Sequence, residues 1–424
     1  MRIYIESYGC AVNNADTNLM RKILSEKYEI VRDPLEANVI IINTCTVRGE
    51  TERKMIRRIK KLEDIRSLVN GKLIVTGCMA KVQPAIILKI SPNASLVSPQ
   101  KISEILEVVE SNAREIRITG SGSKDLDKMV LSNEISITIP IAEGCIGNCS
   151  YCIVKLARGN LKSYPENEIV KTIEIAVNSG VKEIRLTAQD TAAYGLDKDT
   201  NLAKLLKKIL KINGNYVIRI GMMTPNNALK ILDELMEAYI DERVYKFIHI
   251  PLQSGDNYVL KTMGRRYTIE DFMEIVKKFR ENYPNGFITT DIISGFPTEN
   301  HEAHMNTLKV IEESKPDKVN VAKYTPRPHT KAAALPQLPE KIRSERCREV
   351  MELARKIALE RNKNYEGKRI KVLVLRERKK NLLESRSMEY RLIMFEGCNK
   401  LIGKKVDVNI IKAESTRLIG SLPT

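Results

Sequence analysis

The sequence predicts an α/β protein in three parts: an N-terminal parallel sheet, a central six-unit β/α barrel-like layer and a small C-terminal β-barrel. Three observations predict it. Apolar β-type runs alternate with amphipathic helical stretches through most of the chain. A tight cysteine triplet follows the first strand of the central part. Short β runs punctuated by glycines replace that alternation at the end.

The first part repeats strand and helix. Strands are expected at Arg2–Glu6, Val39–Ile42 and Leu73–Thr76, with helices at Thr17–Lys27 and Arg48–Val69. The Gly/Ser-rich stretch Thr119–Ser123 reads as a linker. The central part offers six strands: Ile135–Ile141, Glu183–Thr187, Val217–Gly221, Lys246–Ile250, Phe287–Ile293 and Lys318–Lys323. Helices are expected between them at Glu166–Asn178, Leu202–Ile212, Ala228–Tyr239, Ile269–Tyr283 and Glu302–Ser314. A long charged helix, Pro339–Tyr365, closes this part. In the tail, strands are expected at Arg369–Leu375, Tyr390–Phe395, Lys405–Ile411 and Leu418–Leu422. The boundaries that follow are 1–118, 131–365 and 366–424.

Composition narrows the class. The chain has 424 residues, 43 % of them hydrophobic, enough to bury sizeable cores. No run approaches the roughly 18 apolar residues of a membrane span. The N-terminus, MRIYIESYGC, has no signal-peptide pattern, so a soluble cytoplasmic protein with no membrane partner is expected. The net charge of +17 suits a polyanionic partner or a heavily solvated surface. Clustering favours the partner: the last 59 residues hold 14 Lys or Arg against 7 Asp or Glu. A basic small β-barrel is a common nucleic-acid module.

Eight cysteines in such a chain point to metal or redox chemistry. Cys145, Cys149 and Cys152 stand at C-x3-C-x2-C directly after a strand. Soft thiolates at that spacing suit an iron–sulfur cluster, and Gly144 and Gly147 let the backbone fold closely around it. Three ligands leave one iron open. Structural zinc is the competing reading, but it wants a fourth ligand, and the nearest histidine is His249.

Cys10, Cys45 and Cys78 have no local motif, and each alone reads as a buried thiol. Yet each follows a predicted strand by a few residues. If the strands are parallel, all three meet at one carboxyl edge, where open α/β sheets bind ligands. A second three-thiol cluster site is expected there.

The motifs resemble the methylthiotransferase branch of the radical S-adenosylmethionine (SAM) enzymes over nearly the whole chain. The first part carries Gly9-Cys10-x-x-Asn13-x-x-Asp16, Asn43-Thr44-Cys45 and Thr76-Gly77-Cys78-Met79. The central part carries CIGNCSYCIVKLARG, TAQDTAAYG, RIGMM, HIPLQSG, TDIISGFPTE and YTPRPHTKAA. SYCIVKLARG and TAQDTAAYG are similar to the archaeal and eukaryotic type, which methylthiolates carbon 2 of N6-threonylcarbamoyladenosine beside the tRNA anticodon. The chain departs from the family pattern at Asp16-Thr17-Asn18, where many relatives have an acidic third residue. It departs again at His329, where many bacterial relatives have glycine.

The resemblance implies two [4Fe-4S] clusters. Cys145, Cys149 and Cys152 would hold the one that binds and splits SAM into methionine and a 5′-deoxyadenosyl radical. Cys10, Cys45 and Cys78 would hold an auxiliary cluster carrying the sulfur to be transferred, with Asn13 and Asp16 shaping its surroundings or capping a turn. Gln189, Arg219, Gln253 and Tyr151 are the candidate SAM contacts. The tail resembles the family's TRAM-type RNA-binding barrel. Arg158, just after the radical cysteine loop, and Arg376, Arg378, Lys379 and Lys380 in the tail are the candidate contacts to the tRNA anticodon stem-loop. An electron donor and a sulfur donor complete the expected partners. The same chemistry on isopentenyladenosine or on a ribosomal-protein aspartate, and a non-catalytic iron–sulfur RNA sensor, are the rival functions. His301-x-x-His304, Cys347 and Cys398 lack partners at ligand spacing and read as non-ligands.

Overall fold

Every strand of the first sheet is parallel, and nearly every strand residue at its centre is buried. A computed structural model describes residues 1–130 and 134–423. The first sheet has the order β2-β1-β3-β4-β5-β6, formed by β1 (Arg2–Ser7), β2 (Glu29–Val31), β3 (Val39–Thr44), β4 (Lys72–Gly77), β5 (Ser95–Val97) and β6 (Ile116–Arg117). β1, β3 and β4 are the three expected strands, extended by a residue or two. The short strands β2, β5 and β6 carry too little apolar sequence to announce themselves.

Side-chain alternation sorts the sheet into two cores. Ile3, Ile5, Val39 and Ile41 pack with Leu19 and Met20 of the Ala11–Ser25 helix. Ile40, Ile42, Leu73 and Val75 pack with Met55, Ile59 and Leu62 of the Gly49–Leu68 helix.

The first of these cores runs on into the central part, through Leu126, Met129 and Val130 to Ile137 and Ile139. The linker expected at Thr119–Ser123 is thus followed by a segment that packs into this core. Thr119–Ser123 has no regular structure, but Lys124, Leu126, Met129 and Val130 are buried. The boundary placed at residue 131 lies outside the described residues.

The central part is an open arc of six parallel strands. Its first half is β7 (Ser136–Pro140), β10 (Glu183–Thr187) and β11 (Val217–Arg219). Its second half is β12 (Phe247–His249), β13 (Phe287–Ser294) and β14 (Lys318–Lys323). Isolated bridges Ile218–Val244 and Met222–His249 join the halves. A short antiparallel pair, β8 (Ala142–Glu143) and β9 (Lys162–Ser163), brackets the cysteine loop. All six expected strands are present.

The single helix expected over Ala228–Tyr239 is instead Pro225–Ala228, a 3-10 turn and Leu232–Ala238. Its first turn is tied to the site, because Asn227 Nδ2 donates to buried Asp190 at 2.8 Å. The Glu340–Lys363 helix covers the β14 edge with Val350, Ala354, Ile357 and Ala358. His329 has φ +63°, in the left-handed region that glycine adopts without strain.

The tail is a closed five-strand barrel, β15-β16-β17-β19-β18: β15 (Arg369–Lys379), β16 (Leu382–Ser387), β17 (Leu392–Glu396), β18 (Lys405–Ala413) and β19 (Leu418–Ser421). Closure removes exposed strand edges. β16 was not expected, since Leu-Leu-Glu-Ser-Arg-Ser lacks apolar alternation.

One buried carboxylate fixes the barrel to the arc. Asp317 receives Arg280 at 2.8 Å, Arg361 at 2.5 Å and Arg391 at 2.6 Å. Arg391, from the barrel, also donates to Asn362 at 2.6 Å and lies 4.3 Å from the Tyr365 ring centroid. Burial opposes ionisation of Asp317, but the three guanidiniums outweigh it and hold its carboxyl below the ordinary range. Its contribution is therefore present above the unfolded value near ~3.9 and is lost as pH falls through the lower folded value. Asp317→Asn strands three cations at a buried joint and is expected to cost about 3–5 kcal/mol. Thermal unfolding at neutral pH checks this; a transition identical to the parent chain would show that the joint carries no stability.

Candidate active site

Cys10, Cys45 and Cys78 meet at the carboxyl edge of the first sheet. Ser7 of β1 is in register with Asn43 of β3, and Thr44 of β3 with Gly77 of β4. Each cysteine therefore leaves its strand at nearly the same height. Asn13 sits among them: its Oδ1 lies 3.9 Å from both Cys10 Sγ and Cys78 Sγ. Its Nδ2 donates to the carbonyls of Tyr8 at 2.8 Å and Thr44 at 2.9 Å. Gly9 and Gly77 have φ of +114° and +91°, and a Cβ on Gly9 would stand 3.2 Å from Cys45 Sγ. Burial, then the Cys78 charge, push the Cys45 thiol up to about 12. Burial raises Cys78 as well. Such thiols stay protonated until a metal centre displaces their protons.

The second triplet lies in the loop after β8. A Cβ on Gly147 would stand 3.3 Å from Cys145 Sγ and 3.7 Å from Cys149 Sγ, so only glycine leaves that cradle open. The Gly147 N–H donates to Cys145 Sγ at 3.2 Å. The arc holds the loop from outside: Ser150 N–H donates to the Met263 carbonyl at 2.9 Å, and Ala332 N–H donates to the Ser150 carbonyl at 2.8 Å. Burial pushes the Cys152 thiol up to about 11 and raises Cys145. An all-thiol donor set with glycine clearance fits a sulfur-bridged iron cluster at both triplets.

Residues 158 and 159 touch both triplets. The Gly159 carbonyl accepts from the Cys145 N–H at 3.1 Å. The Arg158 side chain reaches the other way, donating to Asn13 Oδ1 at 2.6 Å and standing 2.8 Å from Asp16 Oδ2. Lys124 pairs with Asp16 at 2.5 Å and with Glu143, which also pairs with Arg158 at 3.1 Å. Arg158 is 3 % exposed. This corrects its reading as a tRNA contact: it is enclosed by carboxylates beneath the first triplet, with no surface for a phosphate. Asn13 and Asp16 do shape the surroundings of that triplet.

Gln189 and Gln253 follow β10 and β12 at the carboxyl edge. Each has a buried side-chain oxygen with no partner. Gln253 also holds φ +68°, strain of about 1–3 kcal/mol that folds retain at functional positions. Its N–H donates to the Asp291 carbonyl at 2.7 Å, which fixes it against β13. Tyr151 packs edge-on against Phe296 with centroids 6.2 Å apart, and Arg265 donates to its hydroxyl.

Arg219 does not join this group. It is in register with Arg185, two residues before Thr187 at the edge. Its guanidinium carbon lies 4.7 Å from the Phe247 ring centroid and 5.7 Å from that of Tyr390 in the C-terminal barrel. Its reading as a SAM-carboxylate partner is corrected accordingly.

On the barrel, Lys379 and Lys380 are exposed at the β15–β16 hairpin. Arg376 and Arg378 are half-exposed and both pair with Glu384, the former at 3.1 Å. His304 is buried against Glu349 at 2.7 Å, which ends any metal reading of the His-x-x-His pair.

Sequence reasoning missed Lys124, Glu143 and Arg265. Arg265 lies 5.5 Å from the Tyr151 centroid and 5.8 Å from that of Tyr267. None of the three stands in a spacing pattern; only the folded chain brings them to a cysteine site. Asp190, next to Gln189 in TAQD, is buried. It accepts the N–H of Thr224 at 3.0 Å and of Ala192 at 3.2 Å, and so sets the loop that presents Gln189.

Two family models match the chain. Residues 139–311 match the Radical SAM superfamily, and residues 2–98 match the Uncharacterized protein family UPF0004. A "Probable threonylcarbamoyladenosine tRNA methylthiotransferase" of Pyrococcus horikoshii is 42 % identical over 431 residues, covering 100 % of both chains. The Homo sapiens "Threonylcarbamoyladenosine tRNA methylthiotransferase" is 32 % identical over 97 % of this chain and 72 % of its own. A "tRNA-2-methylthio-N(6)-dimethylallyladenosine synthase" of Thermosipho africanus is 34 % identical, covering 100 % and 99 %. Among solved structures, the radical S-adenosylmethionine methyltransferase TsrM of Kitasatospora setae superposes with a TM-score of 0.57 at 14 % identity, covering 78 % of this chain and 75 % of that one. That likeness concerns the fold.

Gly77→Ala places a methyl group 2.4 Å from Asn43 Oδ1 and from the Thr44 carbonyl, at φ +91°. It is expected to displace Cys78 and to halve the iron retained after anaerobic reconstitution with iron and sulfide. Iron and sulfide assays check this; undiminished retention would show that the Gly77 turn does not shape the first triplet.

Proposed function

The chain belongs to the threonylcarbamoyladenosine tRNA methylthiotransferase family of radical SAM proteins, and from that premise we propose that it replaces the carbon 2 hydrogen of N6-threonylcarbamoyladenosine in tRNA with a methylthio group. The observation that supports this reading is the Arg158-Gly159 segment: the Gly159 carbonyl accepts from the Cys145 N–H, and the Arg158 side chain holds Asn13 beside Cys10 and Cys78. A radical-generating site and a sulfur-carrying site must face the same substrate atom; two remote sites would not serve.

Cys145, Cys149 and Cys152 hold a [4Fe-4S] cluster that takes SAM, and Cys10, Cys45 and Cys78 hold an auxiliary one. Bound there, they supply the radical and the sulfur that exchange of an aromatic C–H for C–S requires. The protein's part is placement. The orphaned oxygens of Gln189 and Gln253 accept from SAM's ammonium and ribose hydroxyls. Tyr151, braced by Arg265 and Phe296, fixes the end of the cysteine loop. Asn13, gripped by two backbone carbonyls and by Arg158, holds the spacing of Cys10 and Cys78. Lys379 and Lys380, with Arg376 and Arg378 beside them, meet the phosphates of the anticodon stem-loop. An electron donor and a sulfur donor act at the same chamber between turnovers. No helix of the described residues is long and apolar enough to cross a membrane, and a tRNA-modifying role places the work in the cytoplasm.

The second reading is the same chemistry on isopentenyladenosine, favoured by the Thermosipho africanus relative. Nucleoside mass spectrometry of tRNA from cells lacking this gene separates the two. Loss of the 2-methylthio form with threonylcarbamoyladenosine accumulating supports the first; loss of the isopentenyl form supports the second. An unchanged profile overturns both.

In the purified protein under reducing, anaerobic conditions, Cys145→Ala is expected to abolish SAM cleavage and Cys10→Ala to retain it. Full cleavage by both would overturn the assignment of the radical site. Binding of tRNA is expected to weaken steeply with salt, and Lys379→Ala and Lys380→Ala each to lower the salt slope by about 1. An unchanged slope in both variants would remove the hairpin from the tRNA interface.

A further inference from the structure

The inner face of the arc carries a cavity of about 630 Å³ below the carboxyl edge, within the size range of small-molecule sites. Alternate residues of three strands line it: Phe247 and His249, Phe287 and Thr289, Lys318 and Asn320. Arg219 reaches it from β11, and Arg386 and Tyr390 close it from the C-terminal barrel.

Its charge is unbalanced. Among the described residues Arg219, Lys318 and Arg386 form no salt bridge, and Arg219 has a buried Nε with no partner. Asp317 lines the cavity but is held by the three arginines of the barrel joint, and nearby Asp291 is already taken by His249 at 2.8 Å and Asn320 at 2.9 Å. Arg48 of the first domain adds a further cation at the mouth. Its neighbour Gly49 packs on Thr325, just past the end of β14, and the Arg48 charge bears on both Asp291 and Lys318. Burial, then the charges of Arg386, Arg219 and Arg48, lower Lys318; burial, then the charge of Arg185, lower Arg219. Cations from the arc and the C-terminal barrel thus line a half-enclosed space whose one lining carboxylate, Asp317, is already matched by the arginines of the joint.

We propose that this cavity binds an oxyanion of the tRNA substrate: the threonyl carboxylate on N6 of the target adenosine, with Arg219 as its buried anchor. The inference rests on the function proposed above and names what selects the substrate. Carbon 2 and the N6 arm leave the adenine ring on opposite sides of N1. With carbon 2 turned to the cysteine sites at the edge, the arm descends into the arc. Arg219 stands two residues below that edge, about 6.6 Å at strand rise. Its stacking on Phe247 and Tyr390 fixes the guanidinium plane while leaving its N–H groups to a carboxylate. An isopentenyl arm has no charge to offer, and it would leave Arg219 buried and unpaired. A backbone phosphate is the other source of the same oxyanion.

The test uses reconstituted full-length protein and anticodon stem-loops bearing threonylcarbamoyladenosine, its carboxyl methyl ester, or unmodified adenosine. The parent chain is expected to bind the free carboxylate about tenfold or more tighter than the ester. Arg219→Met, which keeps a stacking stem, is expected to erase that difference, and Arg219→Lys to restore part of it. Lys318→Gln and Arg386→Gln, nearer solvent, are expected to shrink it and serve if Arg219→Met does not fold. If Arg219→Met weakens all three stem-loops equally, the oxyanion is a phosphate and the carboxylate assignment is overturned. If the difference survives in Arg219→Met, Lys318→Gln and Arg386→Gln alike, the cavity is not the site. Methylthiolation of the threonylcarbamoyl stem-loop by the parent chain, run alongside, tells failure of this inference from failure of the proposed function.

Discussion

Four buried charges hold the working parts together. Lys124 and Arg158 meet Asp16 and Glu143 where the first sheet joins the arc, with side chains between 1 % and 12 % exposed. Placing four charges there is expensive; they persist because each is paired and the set is neutral. Removing any one leaves an uncompensated ion in a core that both domains share. The arrangement is also directional. Asp16 comes from the helix that starts at Cys10, Glu143 and Arg158 flank the Cys145 loop, and Lys124 comes from the connecting segment. The quartet therefore sets the distance and angle between the two thiol sites, and Asn13 relays its position to Cys10 and Cys78.

The chamber so formed has three walls from three domains. The first sheet contributes one thiol triplet, the arc contributes the other with Gln189 and Gln253 at its edge, and the C-terminal barrel closes the lower end with Tyr390 and Arg386. The Asp317 joint explains how the barrel can wall the cavity while its β15–β16 hairpin stays exposed. Three arginines on one buried carboxylate fix its docking, while its exposed hairpin stays free.

Much of this was legible in the chain. The convergence of Cys10, Cys45 and Cys78 followed from one physical rule, that parallel strands end together, and the register of β1, β3 and β4 bears it out. All six strands of the arc were marked by their apolar runs. The parts that were not legible share a cause. Arg158 and Arg219 are arginines that the fold buries, and a sequence says how many charges a chain has but not which ones it encloses. β16 is a strand whose residues mostly serve polar contacts, so its pairing, not its composition, makes it a strand. The glycines and serines of Thr119–Ser123 mark a linker, and nothing in their composition announces that Leu126, Met129 and Val130 just beyond them join the shared core.

The central claim is that two clusters face one another across the Arg158-Gly159 segment. Electron paramagnetic resonance of the reconstituted, fully reduced protein tests it most directly. The account predicts a spectrum broadened by spin–spin interaction, which collapses to that of an isolated cluster when either triplet loses a cysteine. Two independent, additive signals, unaltered by removing either triplet's partner, would contradict it.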